Sequence, residues 1–274
     1  MRNSTLIFIH LPKTGGSTLR SVMNKQYPNK FRVSFKAKDD SRQILQTMPK
    51  DEREQLRLIQ GHVVFGIHDA LHQPFIYTTM LREPISRVIS EYYYQRDKYE
   101  GRDDLEISHQ SLAQFAQNGV GAYYDNRQTR FLSGAGNDVE FNSLTNQHLD
   151  MAKQNLKDHF QTVGLTSRFD ESVMLMAKAF GWTMPYYRKL KADRKRPDPQ
   201  DISEDTLQVI RDHNLFDNEL YGYASNLFDE MIQNDLRSIQ RRVRMFRILN
   251  AFVPLGRALR AKAANAIRIR SVKA

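Results

Sequence analysis

The chain has 274 residues, 40% of them hydrophobic and 26% charged, with no cysteine and a formal net charge of +10. These figures fit a globular chain of one large or two small domains. They exclude a collagen-like repeat, a disulfide scaffold, a thiolate metal site and a cysteine nucleophile. There is no run of about 18 apolar residues to read as a membrane-spanning helix. The apolar stretch after Met1 is cut by Pro12-Lys13 too soon for a signal peptide, so the expected location is cytoplasmic, at the inner membrane surface if the tail binds lipid.

In chain order, residues 6–11 form a β-rich apolar run ending at Pro12 and read as a buried strand. A loop follows to Gly16, with Ser17 or Thr18 placed to cap the next helix. Further strands are expected at 31–35, 58–65, 75–81 and 162–165. The clearest helical pattern opens at Pro84, a good first-turn proline, and runs through Val88, Ile89 and Tyr92. Others cover 105–117, 144–160, 171–180 and 215–233. Strands alternating with helices predict an α/β fold whose largely parallel sheet is covered on both faces. Residues 189–200 read as a charged loop in which Pro197 and Pro199 block helix.

Charge is concentrated at the end of the chain. Residues 237–274 hold 11 basic side chains and no acidic one, which leaves the body near neutral, at −1 of the +10 total. The basic balance therefore gives the body no reason to bind nucleic acid. Ile239, Val243, Phe246, Leu249 and Val253 are spaced by three and four, which makes one apolar helical stripe, interrupted near Pro254 and Gly256 before a second short basic helix. The stripe fits packing against the body or a second subunit. It also fits an anionic membrane or an acidic polymer.

The loop Pro12-Lys13-Thr14-Gly15-Gly16-Ser17-Thr18 lies between a strand and a helix. In that context glycines let backbone N–H groups turn inward as an anion nest, and the helix start adds donors and a positive dipole end. Lys13 adds a mobile charge, and Ser17 and Thr18 add hydroxyls, so the loop suits a phosphate or phosphosulfate; the bland reading is a tight turn with a surface lysine. It is not Walker A, because the lysine precedes both glycines. Arg82 stands at the end of another strand, where open α/β sheets bind ligands, and its planar fork of donors suits a second phosphate. Ser90, two helical turns on, can face the same ligand. Alternatively Arg82 pairs with Glu83 or caps a carbonyl, and Ser90 is a packing residue.

The segment HLPKTGGSTL from His10 to Leu19 resembles the 5′-phosphosulfate loop of sulfotransferases of the heparan sulfate 2-O-sulfotransferase-like group. The segment TMLREPISRVISEYYY from Thr79 to Tyr94 is similar to that family's 3′-phosphate segment, and Gly61-His62-Val63 resembles the segment holding its catalytic base. Weaker landmarks follow in order at 126–130, 163–166 and 217–221, so the resemblance covers roughly residues 6–230 and leaves out the basic tail. It implies a P-loop NTPase-like three-layer fold with about five strands. The donor it implies is 3′-phosphoadenosine 5′-phosphosulfate (PAPS), used without a metal and left as PAP. Lys13, Thr14, Gly15, Gly16, Ser17 and Thr18 would hold the 5′-phosphosulfate, with Arg82 and Ser90 on the 3′-phosphate. The acceptor implied is a hydroxyl of a saccharide or glycolipid.

Sulfuryl transfer needs an acceptor hydroxyl that loses its proton as it attacks sulfur, and an imidazole titrates near neutral pH. His62 takes that role by resemblance, and Lys13 stabilises the leaving phosphate. Gln60 stands where some relatives carry another histidine, which leaves His62 as the sole base; His10 is expected to pack beside the loop. Asn126, Thr129 and Arg130 fit either the cleft or the bracing of a helix, and Thr166 is expected on the adenine side. Lys189, Lys191, Arg194, Lys195 and Arg196 either close over the nucleotide or are simply solvated. Tyr92-Tyr93-Tyr94 is expected to pack, with one ring available to the acceptor cleft. The expected organisation is a catalytic domain over 1–235 and a basic helical tail over 236–274. The alternatives are a nucleotide-dependent kinase, disfavoured by the loop order and the lack of recognisable magnesium ligands, and a non-catalytic PAP- or glycan-binding module.

Overall fold

The computed structural model describes residues 4–118, 125–185, 187 and 199–248. Five strands, β1 (Thr5–Ile9), β2 (Arg32–Phe35), β3 (Leu58–Gly61), β4 (Phe75–Leu81) and β5 (Phe160–Leu165), form one sheet in the order β2-β3-β1-β4-β5. Every pairing is parallel. All of β1 is buried, because it is the central strand and both faces of the sheet are covered; this is why its sequence is an apolar run without alternation.

Helix α1 (Gly16–Gln26) links β1 to β2, and α2 (Ser41–Thr47) and α3 (Lys50–Glu54) lie between β2 and β3. Strand β4 leads into α4 (Pro84–Lys98), α5 (Leu112–Asn118), α6 (Arg127–Ser133) and α7 (Asn146–His159). After β5 come α8 (Phe169–Ala179), α9 (Glu204–Asp212) and α10 (Leu215–Gln233), then a helical stretch over 236–248. The main core surrounds the sheet, and a smaller cluster built on Val88, Ile89, Phe115 and Ile210 joins α4, α5 and α9.

The five expected strands are present, with two instructive differences at element ends. The strand expected over 58–65 stops at Gly61. There φ is 142°, and a Cβ would lie 2.2 Å from the Phe35 carbonyl oxygen, so the chain leaves the ladder at a position only glycine fits. Helix α1 begins at Gly16, with Gly15 in the left-handed region as its cap, not at Ser17 or Thr18. The helix expected over 105–117 is broken. Ser111 and Gln114 exchange hydrogen bonds through side chain and backbone, a capping arrangement that starts α5 afresh. At α4 the cap is Glu83, whose carboxylate accepts from the amides of Ile85 and Ser86; such a cap contributes about 1 kcal/mol.

The described part of the basic tail is built into the body. Ile239, Val243 and Phe246 are buried in the main core, with Phe246 stacked on Tyr187 at 4.8 Å, while Arg237, Arg241, Arg244 and Arg247 are exposed. The rest of the stripe, the second tail helix and the basic loop of Lys189, Lys191, Arg194, Lys195 and Arg196 lie outside the described residues.

Candidate active site

Parallel strands end together, so the residues that follow them meet at one edge. Residue Ile9 of β1 is level with Gly61 of β3 on one side and Thr79 of β4 on the other. His10, His62, Arg82 and Thr166 follow the ends of β1, β3, β4 and β5, and all four line one cleft of about 680 Å³. Lys13, Gly15, Gly16, Ser17, Thr18 and Ser90 line it too. Of the expected site residues, Thr14 alone turns its side chain away. It is fully buried and its hydroxyl donates to the Leu11 carbonyl, so it stiffens the loop and leaves only its backbone for a ligand.

No side chain caps α1, and the Thr18 and Leu19 amides donate to the Gly15 carbonyl at 3.0 and 3.3 Å, so an anion at the cleft would meet the helix start through Gly16 and Ser17. Gly16 is required there by space: a Cβ would sit 1.9 Å from the His10 ring. Lys13 has φ of 65°, a conformation that costs a side-chain-bearing residue about 1–2 kcal/mol. Its ammonium lies 3.8 Å from the centre of the Tyr94 ring, which makes Tyr94 the tyrosine of the triplet that reaches the cleft.

Arg82 is held by its backbone. Its N–H donates to Gln128 Oε1 at 2.9 Å, and its carbonyl accepts from Gln128 Nε2 at 2.9 Å. One guanidinium N–H donates to the Lys13 carbonyl at 3.1 Å, so Arg82 ties the phosphate loop to the end of β4, and Glu83 is occupied as the α4 cap. The Thr166 hydroxyl lies 2.9 Å from the carbonyls of both Thr14 and Leu81 and braces the same junction.

The segment around Asn126 is a brace. Buried Asp217 of α10 accepts from the amides of Gln128 and Thr129 and from the Thr129 hydroxyl, and its own amide donates to Asn126 Oδ1. Arg87, fully buried, stands 3.9 Å from the Asp217 carboxylate. Burial pushes that carboxyl up, against the pull of Arg87 and of the three donors. Arg130 forms a buried pair with Asp125 at 2.7 Å. Asn126, Thr129 and Arg130 thus fix the start of α6, which carries Gln128 under Arg82.

The His62 ring stacks on the His10 ring at 4.6 Å, and its Nδ1 lies 2.9 Å from the His10 carbonyl oxygen. A carbonyl only accepts, so Nδ1 carries the proton and Nε2 keeps its lone pair. Burial pushes the imidazole below its ordinary value, and Arg127 and Arg20 add to this; the His10 carbonyl and Glu91 pull the other way. The balance favours the neutral ring, with Nε2 as its basic nitrogen. Gln60 faces away from it. It is fully buried and donates to Asn24 Oδ1 and Ser34 Oγ, so it joins β3 to α1 and β2.

Lys38, Glu91, Tyr94 and Arg127 also line the cleft. Sequence reasoning assigned no role to Lys38, Glu91 or Arg127, nor to Gln128. Only Tyr94 had a local signal, because it lies four residues after Ser90 and so on the same helix face.

An all-parallel sheet with an anion loop after its central strand, a second cation at the strand end on one side and an imidazole at the strand end on the other fits an enzyme of phosphate-linked group transfer. A family model described as sulfotransferase family matches residues 2–224, and the chain belongs to that family. It is a PAPS-dependent sulfotransferase. It is 24% identical over 281 aligned residues to heparan sulfate 2-O-sulfotransferase hst-2 of Caenorhabditis elegans, covering 86% of this chain and 82% of that one. Among solved structures it is similar to the mouse sulfotransferase SULT7A1 complexed with PAP, at 14% identity, over 80% of this chain and 67% of that one, with a TM-score of 0.40. It is also similar to a sulfotransferase from Alicyclobacillus acidocaldarius, at 12% identity, over 82% and 96% of the two chains, with a TM-score of 0.42.

Proposed function

We propose that the cleft transfers the sulfuryl group of PAPS to a saccharide hydroxyl, with His62 as general base and Lys13 on the leaving phosphate. The observation that carries the reading is His62 Nδ1 at 2.9 Å from the His10 carbonyl oxygen, which leaves Nε2 as the ring's basic nitrogen in the same cleft as the phosphate loop. As the acceptor oxygen forms its bond to sulfur, its proton passes to His62 Nε2. The bond from sulfur to the bridging oxygen breaks, and its electron pair leaves on the 5′-phosphate of PAP. Lys13 then exchanges the Tyr94 face for that oxygen, where the charge develops. The amides from Gly15 to Ser17 and the hydroxyls of Ser17 and Thr18 hold the 5′ group, and Arg82 and Ser90 hold the 3′-phosphate.

A saccharide acceptor is supported by the relative from Caenorhabditis elegans, which its name gives as a heparan sulfate 2-O-sulfotransferase. Lys38 and Arg127 add cations to the cleft that suit an acidic sugar. The test is thermal unfolding with PAP and with magnesium ATP, then transfer of labelled sulfate from PAPS to heparan sulfate chains. At 100 times its dissociation constant a ligand stabilises by about 2.7 kcal/mol. A metal-independent shift with PAP and label in the glycan is the expected result. A shift with magnesium ATP alone would return the kinase reading.

A further inference from the structure

Gly15, at the start of the anion loop's helix, is backed by an aromatic ring. Its φ is 78°, and a Cβ there would lie 2.9 Å from Phe169 Cε2, so the edge of the Phe169 ring rests against the loop backbone. Phe169 is the first residue of α8 and is not among the residues lining the cleft. The transfer step gives it no part, yet it presses on the residue whose amide meets the donor.

That ring is itself held from the far end of the chain. Tyr187 meets Phe169 edge-on with ring centres 5.2 Å apart, and Phe246 stacks on Tyr187 at 4.8 Å and 19°. Both are favourable geometries for aromatic pairs. A polar link runs beside the stack. Asp170 accepts from the Tyr187 hydroxyl through one carboxylate oxygen and from Arg247 Nε at 3.2 Å through the other. Two adjacent tail residues, Phe246 and Arg247, thus converge on two adjacent residues of α8, Phe169 and Asp170, with Tyr187 between them. Tyr187 and Phe246 are 6% and 3% exposed, so the stack belongs to the close-packed core, which transmits strain.

We propose that the helical stretch over 236–248 is part of the donor site: Phe246, through Tyr187, holds Phe169 against Gly15 and keeps the loop amides in the arrangement that receives the donor. Phe169, Tyr187 and Phe246 are positioning residues, since none of them lines the cleft. The proposal rests on the reading that the amides from Gly15 to Ser17 hold the 5′ group of PAPS. Phe246 and Arg247, which complete the stack and the polar link, lie beyond residue 224, where the family match ends. The buried side of the tail then serves donor binding, with no lipid or second subunit needed to explain its apolar stripe.

The test is calorimetric titration of the full chain with PAP, well below the Tm of each variant so that only folded protein is compared. Phe246→Ala should bind PAP about three- to tenfold more weakly. In transfer from PAPS, the KM for PAPS should rise by a similar factor, with the KM for heparan sulfate unchanged. Ile239→Ala removes a buried side chain from the same helix about two turns earlier, outside the stack, and should lower Tm while leaving PAP affinity within about twofold. Phe169→Leu should weaken PAP binding on its own, and adding Phe246→Ala should weaken it little further, because both act by one route. Phe246→Leu takes the place of Phe246→Ala if that variant does not fold. PAP affinity of the Phe246 variant within about twofold of the parent overturns the proposal, as does equal weakening in Ile239→Ala or full additivity with Phe169→Leu. A parent chain that binds no PAP ends the donor reading and this proposal with it, whereas failure in the variants alone leaves the donor reading standing.

Discussion

Replacing Gln128 by methionine keeps the length of the side chain and removes its amide. Gln128 is fully buried and makes two 2.9 Å hydrogen bonds, one to each backbone polar group of Arg82. A hydrogen bond of this kind contributes about 0.5–1.5 kcal/mol net, so losing both costs about 1–3 kcal/mol. At about 2–4 °C per kcal/mol for a domain of this size, Tm should fall by about 2–12 °C. A second effect separates positioning from plain stability. Freed from Gln128, Arg82 no longer holds its guanidinium against the Lys13 carbonyl at 3.1 Å, and the loop and the second phosphate site lose their common anchor. PAP should then bind about tenfold more weakly, or about 1.4 kcal/mol. Thermal unfolding gives the first number and calorimetric titration with PAP the second. Tm within about one degree of the parent, with PAP affinity within twofold, would refute the view that Gln128 sets Arg82.

Lys13→Met should lower kcat more than it raises the KM for PAPS, because the ammonium is needed where charge develops; a pure KM effect would limit Lys13 to ground-state binding. Gly61→Ala forces a Cβ to within 2.2 Å of the Phe35 carbonyl, so unfolding in urea should show a loss of about 3 kcal/mol or more, and a stable variant would contradict the packing of β3 against β2. The acid limb of kcat/KM should have its midpoint below the ordinary imidazole value of 6.5, since burial and two arginines favour the neutral ring and activity is lost only when Nε2 takes a proton as the pH falls. A midpoint at or above that value would assign the limb to another group.

Much of the fold was legible because local patterns agree with it. The apolar run of β1 marks a strand buried on both faces, Pro84 after Glu83 marks the start of α4, and two glycines after Lys13 mark the anion loop. Each is a property of adjacent residues: φ freedom, a missing N–H, an unbroken apolar run. The stops at Gly61 and at Ser111 were not legible, because one depends on the Phe35 backbone across the sheet and the other on a cap competing with an apolar pattern.

The sequence by itself, through its motifs and their order, determined the reaction class and pointed to most of the residues that line the cleft. The tertiary structure alone decided how those residues are held and charged. Gln128 reaches Arg82 from 46 positions away, and Asp217 fixes the start of α6 from 88 positions beyond Thr129. His62 receives its tautomer from a carbonyl 52 residues earlier, and its charge environment from α1, α4 and α6. Hydrogen bonds and charges act over a few ångströms of space whatever the separation along the chain, so no local pattern records them. They become visible once five parallel strands bring their ends to one edge.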